Sequence, residues 1–291
     1  MNSIRSILHN GIHRCTMFFA TLAMVLLFLA SCEKEYPWET EFPALPTIVV
    51  EGILTNENRF QTIRLSYPAA DLNASPAPVT TAEVTLHFAG QALPFTHDAS
   101  QPGVYVSQES FAAAVGVQYR LEILLDTLPF EAHTYMVPVL PAEPVGFSWH
   151  PDRMRYSLQW NQPQYSPIEQ AMHEVVVRWD HLPGWNHPDS LSHARLLFYT
   201  LGTIDVSYNI IPPQMEMIYF PPGSIITHSK FSLTPEHASF LRALLSETQW
   251  QGSLFETARA NLPGNISNGG LGYLGASAVI RKTLVAGAPG Q

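Results

Sequence analysis

Short runs in which apolar and polar residues alternate dominate the chain from residue 47 onward and restrict its fold more than any other feature. In TIRLSY (62–67) and AEVTLHF (82–88), every second residue is apolar. A period of two places such residues on one face of a β-strand. The same strand character continues in TIVVEGIL (47–54), VYVS (104–107) and YRLEILL (119–125). Six or seven short strands, forming a Greek-key β-sandwich, are therefore predicted for residues 47–140.

A second β-rich domain is predicted for residues 141–291. The segment VPVLPAEPVGF (137–147) holds three prolines, which cannot donate ladder hydrogen bonds and so favour a linker or a sheet edge. With 291 residues, the chain also exceeds the size at which one core usually stops growing. Strands are predicted beyond the linker at RYSLQW (155–160), HEVVVRWD (173–180), ARLLFYTLGTIDVSY (194–208) and GASAVIRKTLV (275–285).

One α-helix, residues 235–248, is predicted as an insertion in the second domain. Thr234 is a suitable N-cap, Pro235 suits the first helical position, and Glu236 faces the positive end of the helix dipole. The apolar residues fall on one helical face, which we interpret as core, with a partner-binding stripe as the alternative: Phe240, Leu241, Leu244 and Leu245. The expected fold is thus mainly β, with two β-sandwich-like (Ig/prealbumin-like) domains.

The N-terminus has the pattern of a secretory signal. Residues 1–15 contain Arg5 and Arg14 and no acid, and residues 16–30 form an apolar run of 15 residues. That run is shorter than the ~20 residues that a membrane-spanning helix needs, but it suits the apolar region of a signal peptide.

Leu29-Ala30-Ser31-Cys32 resembles the bacterial lipobox. The resemblance implies cleavage between Ser31 and Cys32, with lipid attached to Cys32, so that residues 1–31 are a signal peptide and residues 32–46 a tether. Several buried acyl chains would make such an anchor stable. The alternative is an uncleaved signal anchor in which Cys32 is a plain thiol. Glu33-Lys34-Glu35 also resembles the short charged signals that export lipoproteins to the cell surface.

Charge and cysteine content exclude several classes of function. The net charge is −9, which disfavours a nucleic-acid partner, because nucleic-acid binding needs a basic face. The only cysteines are Cys15 and Cys32, so residues 33–291 hold no thiolate nucleophile and no cysteine-based zinc site. No cofactor is predicted.

The glycine-rich segment GNISNGGLGYLG (264–275) does not have the pattern of a phosphate-binding loop. Such a loop lies between a strand and a helix and usually carries Lys-Ser/Thr, whereas this segment has no GK[ST] and is followed by a predicted strand. Turns and close backbone packing are the preferred interpretation. Asn265-Ile266-Ser267 matches a glycosylation sequon, which is usually silent in the bacterial context that the lipobox implies.

The loop from Trp179 to His193 holds the candidate ligand-binding residues. His181, His187 and His193 are candidate metal ligands, although their spacing of six departs from the i, i+4 spacing of a helical zinc site. Trp179 and Trp185 are candidates for stacking on a sugar or contacting a partner; the alternative is that both lie in a core. GxSxG, HExxH and DxDxDG patterns are absent, so no catalytic residues are predicted. A carboxylate pair for glycoside hydrolysis stays open, because such residues meet only in the fold.

NLPGNISNGGLGYLGASAV (261–279) resembles the closing signature of a Bacteroidota lipoprotein family, domain of unknown function 4249. VVEGILTNENRFQTIRLS (49–66) and PGVYVS (102–107) are similar to it as well. The resemblance implies an outer-membrane lipoprotein, often encoded beside a TonB-dependent transporter, and implies no catalytic residues.

Three functional hypotheses follow. The first is a non-enzymatic, surface-exposed lipoprotein that binds a partner as an accessory to a TonB-dependent transporter. The second is a lipid-anchored glycan-binding module or glycoside hydrolase. The third is a structural or adhesive envelope protein.

Overall fold

The structure, a computed structural model, describes residues 47–69, 74–142, 145–158, 169–185, 192–201, 217–248 and 262–287. The predicted signal peptide and tether, with Ser31 and Cys32, lie outside the described residues.

The mainly-β prediction is confirmed. In chain order the elements are β1 (Val49–Thr55), β2 (Thr62–Ser66), β3 (Glu83–Phe88), β4 (Gln91–His97), β5 (Val104–Ser107), β6 (Gln118–Leu125), β7 (Leu128–Tyr135), β8 (Phe147–His150), β9 (Arg155–Leu158), β10 (Ala171–Arg178), β11 (His193–Thr200), β12 (Tyr219–Phe220), β13 (Ile225–Ser232), α1 (Pro235–Thr248), β14 (Leu271–Ser277) and β15 (Val279–Val285).

The first sheet has eight strands in the order β14-β1-β2-β5-β4-β3-β6-β7. All neighbours are antiparallel except β1 and β14, which run parallel from Val49 opposite Leu271 to Thr55 opposite Ser277. The two edge strands, β7 and β14, approach each other, because Ile266, just before β14, makes a bridge to Ala132 of β7. The sheet therefore curls into a nearly closed barrel, as expected for a strongly twisted sheet of this size.

Alternation along the strands builds the core of this barrel. In β2 and β6 the predicted apolar positions face inward and are at most 2% exposed: Ile63, Leu65, Tyr119, Leu121, Ile123 and Leu125. Their polar neighbours, such as Arg64 and Glu122, face outward. Burying each large apolar side chain contributes about 1.5–3 kcal/mol, which explains why the pattern determines the strand faces so strongly.

Two smaller sheets follow, with the orders β11-β10-β13-β15 and β12-β9-β8. They share a second apolar cluster that contains Trp179, Val177, Phe220 and Ile226, each at most 1% exposed. The predicted single strand at 275–285 is wrong in one respect. Ala278 separates β14 in the first sheet from β15 in the second, and its N–H donates to Ser232 Oγ at 2.9 Å.

The two larger sheets are also joined by side chains. Val279 N–H donates to Asn56 Oδ1 at 2.8 Å, and the Arg281 guanidinium donates to both carboxylate oxygens of Glu57, at 2.5 and 3.0 Å. The hydrogen bond from Arg281 lowers the pKa of Glu57. The division of the body at residue 140 stays a prediction, but the sheet that begins at Val49 takes its last strand, β14, from beyond that boundary.

Helix α1 has the predicted limits. Its N-cap is Thr234, whose Oγ1 accepts a hydrogen bond from His237 N–H at 3.2 Å. Phe240 stacks on Tyr273 with ring centroids 5.0 Å apart, and Leu245 packs with Leu233 and Ala238 in a third apolar cluster. The core interpretation of this face therefore holds for Phe240 and Leu245. No helix within the described ranges is long and apolar enough to cross a membrane.

Candidate functional site

The turn between β8 and β9 presents an apolar side chain to solvent in a strained backbone conformation. Arg153 N–H donates to His150 O at 3.2 Å, which closes the turn. The next residue, Met154, is 68% exposed and has a φ of +52°. A non-glycine residue in the left-handed region costs about 1 kcal/mol or more, and such strain is found preferentially at functional sites. We therefore take this turn as the starting point for a site.

Two arginines flank Met154, and each lies over an aromatic ring. The guanidinium carbon of Arg153 is 4.3 Å from the centroid of Tyr219, and that of Arg155 is 4.6 Å from the centroid of Trp185. Cation–π contacts of this kind hold a guanidinium by its face. The Tyr219 hydroxyl donates to Met217 Sδ at 3.0 Å, and Met217 is 57% exposed. We call these six residues the hairpin surface: Arg153, Met154, Arg155, Trp185, Met217 and Tyr219.

Packed aromatic residues support the hairpin surface from below. Trp185 meets Trp179 edge to face, with centroids 6.3 Å apart, and Trp179 is 1% exposed in the second apolar cluster. Tyr219 lies beside His150, whose Nε2 is 2.7 Å from Ser157 Oγ. The rings beneath both arginines are thus fixed by neighbouring packed groups.

The positive charge of the hairpin surface is weakly compensated. Arg153 Nε lies 3.6 Å from Asp152, but both side chains are more than half exposed, and ion pairs of this kind contribute little. Arg155 has no carboxylate partner among the described residues. A protein of net charge −9 therefore presents two arginines beside exposed thioethers and aromatic rings. Arg, Met, Tyr and Trp are the residue types enriched where proteins bind one another.

The structure separates the two tryptophans that the sequence grouped together. Trp179 is a core residue, so its ring has no exposed face for a sugar or a partner. Trp185 is half-buried beneath Arg155. The two rings therefore do not lie on one exposed face, which a glycan-binding module would require. The sequence carries part of this distinction, because Trp179 continues the period-two face of Val175 and Val177, whereas Trp185 follows Pro183 and Gly184 outside the predicted strand.

The predicted histidines do not come together in the described residues. His181 Nε2 is 3.1 Å from Gly223 O, His193 is exposed at the start of β11 opposite Arg178, and His187 lies outside the described residues. No group of three or more His, Cys, Asp or Glu that could hold a metal occurs in the described ranges.

The glycine-rich segment connects the two edges of the barrel. Asn265 Nδ2 donates to His133 O in β7 at 3.0 Å and to Leu274 O in β14 at 2.9 Å, while Leu274 N–H donates to Asn265 Oδ1 at 2.9 Å. Ser267 N–H donates to Glu131 O, and Glu131 N–H donates to Ser267 Oγ, at 2.8 and 2.7 Å. The Asn265 amide of the sequon is thus engaged in structural hydrogen bonds.

Sequence reasoning missed a buried polar cluster on the inner face of the second large sheet. Lys230 Nζ lies 2.5 Å from Glu169 Oε2, and both side chains are about one-tenth exposed. Glu169 Oε1 also accepts from Leu140 N–H at 2.6 Å. Nearby, His173 Nδ1 is 3.0 Å from His228 Nε2, and burial lowers the pKa of His173 to about 3.

The polar groups of this face also hold the proline-rich linker. Lys282 Nζ donates to Ala142 O at 2.6 Å, and Ser232 Oγ donates to Val137 O at 2.7 Å. These two hydrogen bonds satisfy carbonyl groups of the linker, whose prolines cannot donate ladder hydrogen bonds. We interpret the cluster as structural. Its one sequence signal is Lys230, a charged residue on the same strand face as the apolar Ile226.

A family model described as "Domain of unknown function (DUF4249)" matches residues 33–211. That range includes the β8–β9 hairpin, Trp179 and Trp185, and it ends before the 261–279 motif on which part of the resemblance was based. A search among curated proteins finds no match.

Proposed function

The chain belongs to the DUF4249 family, and from that premise we propose that it is a surface-exposed outer-membrane lipoprotein acting as a non-enzymatic binding protein. Its proposed partner is a TonB-dependent transporter. The attachment half of the proposal rests on the sequence, and the binding half rests on the hairpin surface.

Attachment is proposed to occur through Cys32. The residues around it resemble a lipobox, and the family match begins at residue 33, directly after Cys32. Residues 36–46, with three prolines, would act as a spacer between the lipid and the β-rich body. Glu33, Lys34 and Glu35 support surface exposure.

Binding is proposed to occur through the hairpin surface, and this is the observation that carries the proposal. Two exposed methionines lie beside two arginines whose guanidinium groups are already stacked on aromatic rings. Ordering long side chains in advance reduces the entropy that would be lost on association.

The hairpin surface gives less support to the alternative, a glycan-binding module or glycoside hydrolase. Sugar stacking needs an uncovered aromatic face, whereas Arg155 covers Trp185, Arg153 covers Tyr219, and Trp179 is in the core. The family match carries no named activity that would favour hydrolysis.

Two experiments test the proposal. In the first, cells receive a fatty-acid analogue; the wild type should be labelled, and Cys32→Ala should stay an unlabelled, uncleaved precursor. Normal labelling of Cys32→Ala would contradict lipid attachment at this residue.

In the second, the protein is purified from detergent-solubilised outer membranes, where we expect a TonB-dependent transporter to co-purify. Recovery with no transporter would contradict the accessory role.

A further inference from the structure

We propose that the hairpin surface recognises a carboxylate-bearing segment of a partner protein. Arg153 and Arg155 would each bind an acidic side chain, and Met154 and Met217 would contact an apolar side chain of the same segment. The inference rests on the proposed binding function and adds the chemistry of the partner.

The geometry of the arginines suits carboxylates. A guanidinium that stacks through its face keeps the N–H groups at its edge, which form paired hydrogen bonds with a carboxylate. Within the described residues, neither arginine has a carboxylate oxygen within hydrogen-bond distance, since the nearest, Asp152, is 3.6 Å from Arg153. Both guanidinium groups therefore lie over aromatic rings, and no carboxylate among the described residues accepts a hydrogen bond from them.

The distribution of charge favours the same partner. With a net charge of −9, the protein repels most acidic surfaces at long range. Arg153 and Arg155 give the hairpin surface a local positive charge, which would attract an acidic segment. Such an attraction weakens as the salt concentration rises.

The exposed thioethers favour a protein over an anionic bilayer or a charged glycan. Surfaces that hold anionic membranes typically present a cluster of about four to eight basic residues, and the hairpin surface presents two. A polyanionic glycan would satisfy the arginines but would leave Met154 and Met217 without apolar contacts. A segment that mixes acidic and apolar side chains satisfies both groups.

The test is site-specific photo-crosslinking in the envelope of the native host, with the full-length, lipidated chain. A benzophenone amino acid replaces Asp152, which is at the tip of the turn and outside the hairpin surface. The same probe at Phe60, which is 56% exposed in the loop between β1 and β2, is the positional control. Adducts are identified by mass spectrometry, in the background of R153Q/R155Q or of the charge-matched control R59Q/R64Q. Arg59 and Arg64 are exposed in the first half of the chain.

We expect a protein adduct from position 152 whose crosslinked segment contains at least two Asp or Glu residues. R153Q/R155Q should lower its yield by about tenfold or more, while R59Q/R64Q leaves it unchanged. Acid-to-Arg changes in the partner segment should restore the adduct of R153E/R155E. A protein segment without carboxylates, a lipid or glycan adduct, or an undiminished yield in R153Q/R155Q would overturn the inference alone. No protein adduct in the wild type would contradict the proposed binding function as well.

Discussion

Asn265 and Leu274 exchange two hydrogen bonds, one in each direction, both 2.9 Å long. The Asn265 side chain therefore imitates a strand neighbour for the backbone of β14. Through a third bond, to His133 O, the same amide reaches β7 at the opposite edge of the barrel. One side chain thus supplies hydrogen bonds that a direct ladder between these two edges would otherwise provide, which gives the glycine-rich segment a structural role.

Asn265→Ala should destabilise the protein by about 2–4 kcal/mol, because it leaves Leu274 N–H and two carbonyl groups without their partner. The matched control is Asn268→Gly, which removes one bond to Pro129 O and keeps a residue that tolerates the φ of +54°. We expect the control to cost about 1 kcal/mol. Urea unfolding midpoints measure both, and equal losses would contradict the special role of Asn265.

Gly272→Ala should be more damaging than Gly269→Ala, although both glycines have positive φ. A Cβ at Gly272 would lie 2.1 Å from Val50 O, inside the β1–β14 pair, whereas a Cβ at Gly269 meets nothing within 4 Å. We expect about 1 kcal/mol for Gly269→Ala from backbone strain alone, and about 3 kcal/mol or more for Gly272→Ala. Denaturant unfolding monitored by circular dichroism distinguishes them; similar midpoints would contradict the tight approach of β1 and β14.

Glu169→Gln should cost about 3–5 kcal/mol, because it leaves the buried Lys230 cation without its counter-ion. The amide oxygen of the substituted side chain would still accept from Leu140 N–H. Adding Lys230→Met to this variant should therefore recover most of the loss. A double-mutant cycle of urea midpoints measures the coupling, and additive losses would show that the two side chains act independently.

Stability should fall as the pH is lowered, and His237 should contribute to the loss. Burial lowers its pKa from 6.5 to about 4, and its ring is stacked on Tyr273 with centroids 4.6 Å apart. Between pH 6.5 and about pH 4, His237 is protonated in the unfolded chain but neutral in the native state. The stabilisation is thus complete above pH 6.5 and decreases by about 3 kcal/mol between pH 6.5 and pH 4.

His237→Phe should flatten the dependence of unfolding free energy on pH in that window, because phenylalanine keeps the stack on Tyr273 and does not titrate. The control His193→Gln replaces an exposed histidine and should leave the slope unchanged. His173, whose pKa is lowered to about 3 by burial, acts in the same direction in all three proteins. Identical slopes in wild type and His237→Phe would contradict the assignment.

Trp179→Ala should mainly lower stability, whereas Trp185→Ala should mainly weaken binding. Trp179 is a core residue, so its truncation should cost about 3–5 kcal/mol. Trp185→Ala should cost about 1–2 kcal/mol, since the side chain is half-buried and holds Arg155. Thermal unfolding measures the loss of stability in both variants. The yield of the crosslink from position 152 measures binding, and Trp185→Ala should lower it. A strong crosslink in Trp185→Ala would argue against preorganised Arg155.

The sequence by itself determined those features whose physical cause is local. Alternation marks a buried face regardless of which strand lies beside it, so the strand character of β2, β3 and β6 was predictable. The cap at Thr234 and the proline after it likewise set the start of α1. In contrast, Gln91–His97 and Leu128–Tyr135 form strands with weaker patterns, and they depend on pairing with β3, β5 and β6.

Only the tertiary structure decided which distant residues meet. The pairing of β1 with β14, separated by more than 200 residues, follows from closure of the barrel, which no local pattern encodes. The same holds for the contact of Lys230 with Glu169. Burial and hydrogen-bond partners depend on what packs against a side chain. The sequence therefore predicted the fold class and the strand faces, and the fold decided that Asn265 is structural and that Arg153 and Arg155 share one surface.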